Sequence, residues 1–201
     1  MYDFYSDTKT KPSKEMLEYA LGRTFGDEQK DEDPTTLELC ERVASLLGKE
    51  SAVFLPSGTM CNEIAISVQT SPGDEILCDR TCHIINFEGG APAAMSGVMI
   101  HPLDGKYGQF TKEDVSQALR PKSRHMPISR MLCAEQTVNL GGGGVWPVEK
   151  LDSVAQVAKK SGLSTHLDGA RLLNACAKTG ISAARYSHEY DSCWIDFTKG
   201  L

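Results

Sequence analysis

Residues 164–176 read STHLDGARLLNAC and place a lone carboxylate, Asp168, and a guanidinium, Arg171, between an apolar run and a helical pattern. The run that ends at Asp168 has the length and apolar content of a buried strand, and the residues after Arg171 have the spacing of a helix. In an open parallel sheet, ligands bind in the crevice at the carboxyl ends of the strands. The stretch therefore predicts an α/β fold and a candidate site where this strand ends.

Five further short apolar runs, most of them separated by helical patterns, are typical of buried strands. They read SAVFL (51–55), EILCD (75–79), GVMIHPL (97–103), RMLCAEQ (130–136) and CWIDFT (193–198). They show little of the strict alternation that marks a strand with one face in water. The pattern predicts a mainly parallel sheet that is sandwiched by helices.

Local residues indicate where the first helices begin and end. Ser13 is suited to cap the segment KEMLEYAL, and Gly22 is suited to stop it. Thr35 and Glu38 have the spacing of a capping box for the next helix, which Gly48 would end. The sequence thus predicts two helices within the first 48 residues.

The rest of the chain reads as one domain. A further helix is predicted between Pro147 and Gly162. No repeat or convincing linker interrupts the chain, so we expect residues 1–48 to form an N-terminal arm with helices and residues 49–201 to form one α/β domain. The chain ends at Leu201, directly after a predicted strand and a Lys-Gly pair, where such a domain should continue into a helix.

The charge balance argues against some classes of partner. Lys and Arg number 21 against 27 Asp and Glu, which gives a formal net charge of −6, and no basic cluster is suited to a phosphate backbone. The N-terminus has no apolar signal core, and no run has the length of a membrane span. We expect a cytoplasmic protein that binds neither nucleic acid nor membrane.

Seven cysteines are scattered without a paired framework, which suits reduced thiols, most of them in the core. The segment CDRTCH offers an alternative, because Cys78, Cys82 and His83 resemble metal ligands. Structural zinc sites usually have two ligand pairs, and no second pair is present. We expect buried thiols beside a functional histidine and no metal site.

A second candidate for ligand binding is LPSGTMCNEIAI, residues 55–66. A strand is predicted to end at Leu55, and Ser57, Gly58 and Thr59 then supply hydroxyl groups and free backbone amides at the start of a helix. Such a helix N-terminus suits a phosphate. The same residue types are also ordinary helix caps, and the segment alone leaves both interpretations open.

Lys199 follows the last predicted strand, as Asp168 follows the strand before it. If the two strands are neighbours, they lie about 5 Å apart, and both side chains can engage one small ring. Pyridoxal phosphate needs a lysine for its aldehyde, a carboxylate for its pyridine nitrogen and a cradle for its phosphate. The ordinary alternatives are a solvated lysine and an aspartate that only caps a helix.

Six motifs in this order resemble the low-specificity L-threonine aldolases, which have the aspartate aminotransferase-like fold (fold type I) of pyridoxal phosphate enzymes. The motifs are SDT (6–8), DEDPT (31–35), FLPSGTMCNEIA (54–65), CHIINFEGG (82–90), HLDGARLLNA (166–175) and DFTKGL (196–201). The resemblance covers essentially the whole chain. Aromatic amino-acid β-eliminating lyases share the fold and parts of the pattern.

The resemblance implies retro-aldol cleavage of a β-hydroxy-α-amino acid, such as threonine or allo-threonine, to glycine and an aldehyde. Lys199 matches the lysine that forms the Schiff base with the cofactor, and Asp168 matches the partner of the pyridine nitrogen. Gly58 and Thr59, with Ser57 beside them, match the phosphate cradle. The implied large domain of a fold type I enzyme would be truncated after Lys199 and would lack its small C-terminal domain.

Further matches concern the substrate. Arg171 matches a residue near the cofactor's phenolic oxygen and the substrate carboxylate, and Ser6 matches another carboxylate contact. His83 matches the imidazole that stacks on the cofactor ring, and it is the first candidate for the catalytic base, directly or through water. His125 matches a loop histidine near the substrate hydroxyl and is the second candidate, with an exposed loop position as its alternative. The remaining histidines are assigned structural or surface roles: His101, His166 and His188.

Three differences from the family pattern bear on substrate choice and completeness. Lys30 and Asp31 stand where family members commonly have tyrosine and glycine, and Gln136 replaces an asparagine near the pocket. The family also continues past the lysine and forms homotetramers, so we expect the parent protein to be a homo-oligomer. Two alternatives remain for the function: another pyridoxal phosphate reaction, such as β-elimination or racemisation, or a non-catalytic fragment.

Overall fold

The computed structural model describes residues 3–200, and within them one sheet of five parallel strands forms the centre of the fold. Its order is β2-β1-β3-β4-β5, where the strands in chain order are β1 (Glu75–Asp79), β2 (Met99–Leu103), β3 (Ser129–Glu135), β4 (Ser164–Gly169) and β5 (Ser192–Ile195). Each strand arises from one of the apolar runs. The prediction of a parallel α/β sheet is therefore confirmed.

Helices connect the strands and cover both faces of the sheet. In chain order they are α1 (Lys14–Leu21), α2 (Pro34–Leu47), α3 (Gly58–Gln69), α4 (His83–Asn86), α5 (Ala91–Ser96), α6 (Lys112–Ala118), α7 (Val148–Lys160), α8 (Leu172–Thr179) and α9 (Ala183–Ser187). Helices α3 and α5 contact each other, and α3 also contacts β3, β4 and β5. Helices α6 and α7 contact each other and pack against β2, β3 and β4, and α2 packs on α9.

Alternate strand residues enter two separate apolar cores, because successive side chains of a strand point to opposite faces. Ile76, Cys78 and Cys133 belong to one core, whereas Leu77 and Leu132 belong to the other. All five are at most 2% exposed. Burial on both faces explains why the runs lack polar alternation.

Most of the predicted helix ends are confirmed. Ser13 caps α1 by accepting a hydrogen bond from the backbone of Met16, and Gly22 follows the helix. Gly48 ends α2 in a left-handed conformation, with φ of 61°. Helix α7 begins directly after Pro147, which is its N-cap residue rather than a first-turn residue.

The predicted capping box of α2 is wrong. Asp33 is the N-cap, and its carboxylate accepts hydrogen bonds from Thr36 N and Gly26 N, both at 2.8 Å. Pro34 takes the first helical position, where its missing N–H costs nothing. The Thr35 hydroxyl instead donates to Thr24 O, so it is not free to cap the helix.

The predicted strand over residues 51–55 is also wrong. The segment forms no ladder with the sheet, and Val53 and Phe54 are 72% and 53% exposed. The segment and β5 line the same cavity without pairing. Its apolar composition indicated burial, but a strand also needs a neighbour whose hydrogen-bonding edge it reaches.

The last strand is shorter than predicted. Strand β5 ends at Ile195, and the Asp196 carboxylate then accepts hydrogen bonds from the backbone N–H and the hydroxyl of Thr198, at 2.7 and 2.6 Å. An aspartate that bonds the backbone two residues onward forms a turn. Lys199 consequently lies in a turn beyond the strand and not at its last residue. Leu201, the last residue of the DFTKGL motif, lies outside the described residues.

Three of the seven cysteines are buried, which corrects the expectation that most would be core residues. The buried ones are Cys78, Cys82 and Cys133, and the other four are partly exposed. The described residues contain no group of three or more His, Cys, Asp or Glu side chains arranged to hold a metal ion. None of the helices in this part of the chain has both the length and the apolar character that crossing a bilayer requires.

Candidate active site

A cavity of about 770 Å³ opens at the carboxyl ends of β4 and β5 and reaches the start of α3. Most of the residues that the sequence singled out line it: Ser57, Gly58, Thr59, His83, Asp168, Arg171 and Lys199. Ser6 and His125 are not among its lining residues. The parallel sheet explains this convergence, because the ends of neighbouring strands meet at one edge.

Asp168 lies at the bottom of the site and is 2% exposed. Its Oδ2 accepts a hydrogen bond from Asn62 Nδ2 at 3.0 Å, and its Oδ1 accepts one from Ala170 N at 3.1 Å. Burial raises the pKa of Asp168, and these two hydrogen bonds oppose that effect. A buried carboxyl group held in this way is suited to share a proton with a basic ring nitrogen.

Glu135 stands beside Asp168 in the register of β3 and β4. Its Oε2 accepts from His83 N and its Oε1 from Asn139 N, both at 2.9 Å. Burial and the charge of Asp168 raise the pKa of Glu135 to about 7. Two carboxyl groups therefore close the same edge of the sheet.

Asn62 connects the polar groups beneath the cavity. Its Nδ2 donates to Asp168 and also to Glu88 Oε1 at 2.7 Å. Its Oδ1 accepts hydrogen bonds from Trp194 Nε1 at 2.8 Å and from His166 Nε2 at 3.1 Å. Both amide hydrogens and the carbonyl oxygen are used, which fixes the orientation of the side chain.

His166 lies in this buried layer and is 1% exposed. Its Nδ1 faces Ser192 Oγ at 2.8 Å, while its Nε2 donates to Asn62. Burial lowers the pKa of His166 to about 4, so the ring is neutral near pH 7.

The N-terminus of α3 faces the cavity. Ser57 caps the helix by accepting a hydrogen bond from Met60 N at 3.2 Å. The amides of Gly58 and Thr59 precede Met60, in the first turn, where backbone N–H groups have no partner within the helix. These donors, together with the positive end of the helix dipole, favour a phosphate.

Gly58 is required by a close contact. A Cβ atom at this position would lie 2.3 Å from a ring carbon of Trp194, much nearer than any normal contact. The Trp194 ring cannot easily retreat, because its indole N–H is bonded to Asn62. The glycine thus lets α3 begin directly against β5.

His83 is the first residue of α4, and its side chain is 38% exposed toward the cavity. Its Nδ1 contacts Glu88 Oε1 at 2.7 Å. This hydrogen bond raises the pKa of His83 above 6.5, against the lowering effect of burial. The contact leaves Nε2 as the ring nitrogen that Glu88 does not engage.

Lys199 is partly buried, with 18% of its side chain exposed, and its Nζ donates to Asp196 Oδ2. The ammonium group also lies 5.8 Å from the centre of the Trp194 ring. Burial alone would raise the pKa of Asp196, but its hydrogen bonds with Lys199 and Thr198 lower it. The amine is therefore held at the cavity by an ion pair and an aromatic contact.

Arg171 forms a two-pronged ion pair with Asp7 of the N-terminal segment. Its Nε and one terminal nitrogen donate to the two Asp7 oxygens at 2.6 and 2.8 Å. Ser6, next in the chain, caps a short 3₁₀ helix at residues 7–9 instead of reaching the cavity. The arm and the site are joined through Asp7.

Several residues predicted to influence the substrate lie away from the cavity. His125 is exposed in a loop, and Lys30 pairs with Asp27 at the surface. Asp31 is exposed with φ of 55°. The Gln136 side chain is buried against the backbone of Trp146, and its Oε1 accepts a hydrogen bond from Trp146 N at 3.1 Å. Within the described residues, none of these side chains enters the cavity.

Sequence reasoning missed Asn62, Glu88, Glu135 and Trp194. A signal was present for Glu135, which ends an apolar strand just as Asp168 does. Asn62 stands in the apolar stretch TMCNEIAI, where a buried polar residue needs a partner. Glu88 and Trp194 carry no comparable local signal, because their roles depend on contacts made across the fold.

Comparison with known proteins identifies the family of the chain. A family model described as beta-eliminating lyase matches residues 3–201. An uncharacterized protein of Caenorhabditis elegans is 39% identical over 200 residues, covering 99% of this chain and 48% of that protein. The low-specificity L-threonine aldolase 1 of Arabidopsis thaliana is 36% identical over 205 residues, covering 99% of this chain and 57% of that protein.

Solved structures agree in fold. The threonine aldolase of Leishmania major superimposes with a TM-score of 0.88 at 23% identity, covering 98% of this chain and 59% of that structure. The chain thus spans roughly half to three-fifths of the length of the proteins it matches.

Proposed function

The chain belongs to the beta-eliminating lyase family, and from this premise we propose that it is the cofactor-binding part of a pyridoxal phosphate enzyme that cleaves β-hydroxy-α-amino acids. Threonine and allo-threonine are the proposed substrates, with glycine and an aldehyde as products. The observation that carries the proposal is the convergence of Asp168, Lys199, His83 and the N-terminus of α3 on one cavity.

The donor set fits pyridoxal phosphate. The phosphate would bind the amides of Gly58 and Thr59 with Ser57 beside them, the pyridine nitrogen would pair with Asp168, and Lys199 offers a primary amine. Pyridoxal phosphate supplies an aldehyde that binds amines covalently and a protonated ring that takes up electrons when a bond at Cα breaks.

Asp168 keeps the ring nitrogen protonated in this proposal. Its carboxyl group is 2% exposed, so water does not compete for the proton. The hydrogen bond from Asn62 Nδ2 orients Oδ2, and the bond from Ala170 N orients Oδ1. A charge-assisted bond of this kind is stronger than a neutral one.

His83 accepts the proton of the substrate's β-hydroxyl group while the Cα–Cβ bond breaks. Its Nδ1 is held by Glu88, and this contact keeps the ring basic and directs Nε2 away from the carboxylate. His125 stays the second candidate for the base, and its exposed position gives it no direct contact with the cavity.

Arg171 binds the substrate carboxylate, and Ser6 adds a further contact. The Asp7 carboxylate already engages Nε and one terminal nitrogen of Arg171, in a two-pronged geometry that an α-carboxylate can also adopt. Substrate binding would therefore displace or share the Asp7 contact. Substitution of Asp7 should change substrate affinity more than it changes the rate of the bound complex.

We further propose that residues 49–201 are the cofactor domain, that residues 1–48 are an arm, and that the protein is a cytoplasmic homo-oligomer, a homotetramer at full length. The arm supports the proposed oligomer, because Leu21 and Phe25 are 87% and 80% exposed and present apolar surface suited to a second subunit.

A β-elimination is the second candidate, and the description of the matching family model favours it. The two reactions give different products from L-threonine. Retro-aldol cleavage gives glycine and acetaldehyde, whereas β-elimination gives 2-oxobutanoate and ammonia.

The test is to supply pyridoxal phosphate and L-threonine and to measure all four products. We expect the wild-type protein to form equal amounts of glycine and acetaldehyde. Lys199→Arg should abolish the formation of both products. The control Lys160→Arg, which alters an exposed lysine of α7, should form them as the wild type does. Formation of 2-oxobutanoate would favour β-elimination. Absence of all products from a folded, cofactor-loaded protein would identify a non-catalytic fragment.

A further inference from the structure

A line of buried polar groups continues from His83 into the interior. His83 Nδ1 contacts Glu88 Oε1 at 2.7 Å, and the Glu88 side chain is 0% exposed. The same oxygen accepts a hydrogen bond from Asn62 Nδ2 at 2.7 Å. Glu88 Oε1 therefore has two hydrogen-bond partners, whereas Glu88 Oε2 has none among the described residues.

Asn62 cannot supply the missing donor, because its second amide hydrogen is bound to Asp168. A reversed amide would place its oxygen against both Glu88 and Asp168 and would face its nitrogen toward the indole N–H of Trp194. Asn62 thus holds Glu88 in place but satisfies only one of its two oxygens.

Glu63 follows Asn62 in α3, and its carboxyl group also lacks a hydrogen-bond donor. Both of its carboxyl oxygens are shielded from solvent, and neither has a donor within the described part of the chain. Its carboxyl group lies within hydrogen-bonding range of Glu88. Two facing carboxylates without a donor repel each other, and one proton between them turns the repulsion into a hydrogen bond.

The charge environment agrees with one retained proton. Burial, the contact with Glu88 and the charge of Glu88 raise the pKa of Glu63 to about 7. Helix α3 packs against α5, which has no titratable side chain, and against β3, β4 and β5. The titratable or charged side chains of these three strands are Arg130, Cys133, Glu135, His166, Asp168 and Cys193. The one permanently cationic side chain among them, Arg130, is paired with Asp74.

We propose that Glu63 and Glu88 share one proton and form a buried proton store that holds the His83 ring through Nδ1. Glu63 is a positioning residue, since it acts on His83 through Glu88. The link to the catalytic base rests on the proposed function, whereas the shared proton does not. When His83 gains a proton at Nε2, the single negative charge of the pair lies next to the imidazolium ring and stabilises it.

Nuclear magnetic resonance of the histidine rings tests this without cofactor or substrate. In the wild-type chain, we expect the pH titration of His83 to be broad, with two steps, because Glu63 titrates in the same range. Glu63→Gln keeps a donor toward Glu88 Oε2 but cannot ionise. His83 should then titrate over a narrower pH range with a lower midpoint, because a second negative charge no longer forms on the Glu63–Glu88 pair; the broadening caused by Glu135 remains in both proteins.

The control is Glu41→Gln, which alters an exposed glutamate of α2 and should leave the titration unchanged. Glu88→Gln should lower the midpoint of His83 further, because it removes the group that Nδ1 contacts.

Infrared spectroscopy supplies the second readout. The carbonyl band of a protonated, buried carboxyl group should disappear as the pH rises through about 7, the value for Glu63. Glu135 titrates in the same range and contributes its own band. Only the part of the band that is missing from Glu63→Gln therefore reports the pair. Glu88→Gln should lose the same part of the band. This second variant keeps the test valid if Glu63→Gln does not fold.

The shared proton is overturned if both substitutions leave the band unchanged or if Glu63→Gln does not alter the titration of His83. If these results hold but threonine is not cleaved, the proton store stands and only its role in the reaction is lost.

Discussion

Gly58→Ala should destabilise the protein although alanine is the better helix former. The added Cβ would lie 2.3, 2.9 and 3.1 Å from three carbons of the Trp194 ring. Overpacking of this kind typically costs 1–3 kcal/mol, and the helix propensity of alanine returns at most about 1 kcal/mol. Since Gly58 is not among the glycines with positive φ, no backbone strain contributes. We expect a net loss of about 1–2 kcal/mol in the free energy of unfolding.

Urea unfolding followed by circular dichroism measures this loss. The matched control is Gly22→Ala, where a Cβ meets only ordinary contacts at 3.6 and 3.7 Å, and the change should stay within about 0.5 kcal/mol. In a Trp194→Phe background, the smaller ring should make Gly58→Ala cheaper by at least about 1 kcal/mol. A Gly58→Ala variant as stable as the wild type, with no coupling to Trp194, would refute the reasoning.

Two further predictions concern pH. The hydrogen bond from Arg171 lowers the pKa of Asp7 below 3.8, so the pair stabilises the fold above that pH and loses its effect as the pH falls through the lower folded value. Asp7→Asn should therefore cost about 1 kcal/mol near pH 7 and progressively less as the pH falls below 3.8, with the exposed Asp31→Asn as the control. Burial lowers the pKa of His166 from 6.5 to about 4, so stability should fall by about 3 kcal/mol as the pH drops across that range, and His166→Asn should flatten the slope. A wild-type slope that persists in His166→Asn, or an Asp7→Asn effect that persists at low pH, would contradict these assignments.

Features that depend on neighbouring residues were predictable from the sequence. The N-cap of α1 at Ser13 and the left-handed Gly48 follow from residues within one helical turn. The position of Asp168 at the end of β4 follows from the apolar run before it. The same local logic located the start of α3 at Ser57.

Features that depend on pairing across the chain were not predictable. Residues 51–55 have the composition of a strand, but composition does not say which edge a strand will meet. The two ends of the hydrogen bond between Asn62 and Asp168 are 106 residues apart in the sequence. The contact between Glu63 and Glu88 likewise needs α3 and the segment after α4 to meet. No local pattern encodes such encounters.

The central claim is that Lys199 and Asp168 serve one pyridoxal phosphate molecule. The most direct measurement is to add the cofactor, reduce with borohydride and find the modified lysine by mass spectrometry, with Asp168→Asn and Lys160→Arg in parallel. The account predicts a pyridoxyl group on Lys199 in the wild type and in Lys160→Arg, and weaker labelling in Asp168→Asn. A folded protein that is labelled only on surface lysines, or not at all, would contradict it.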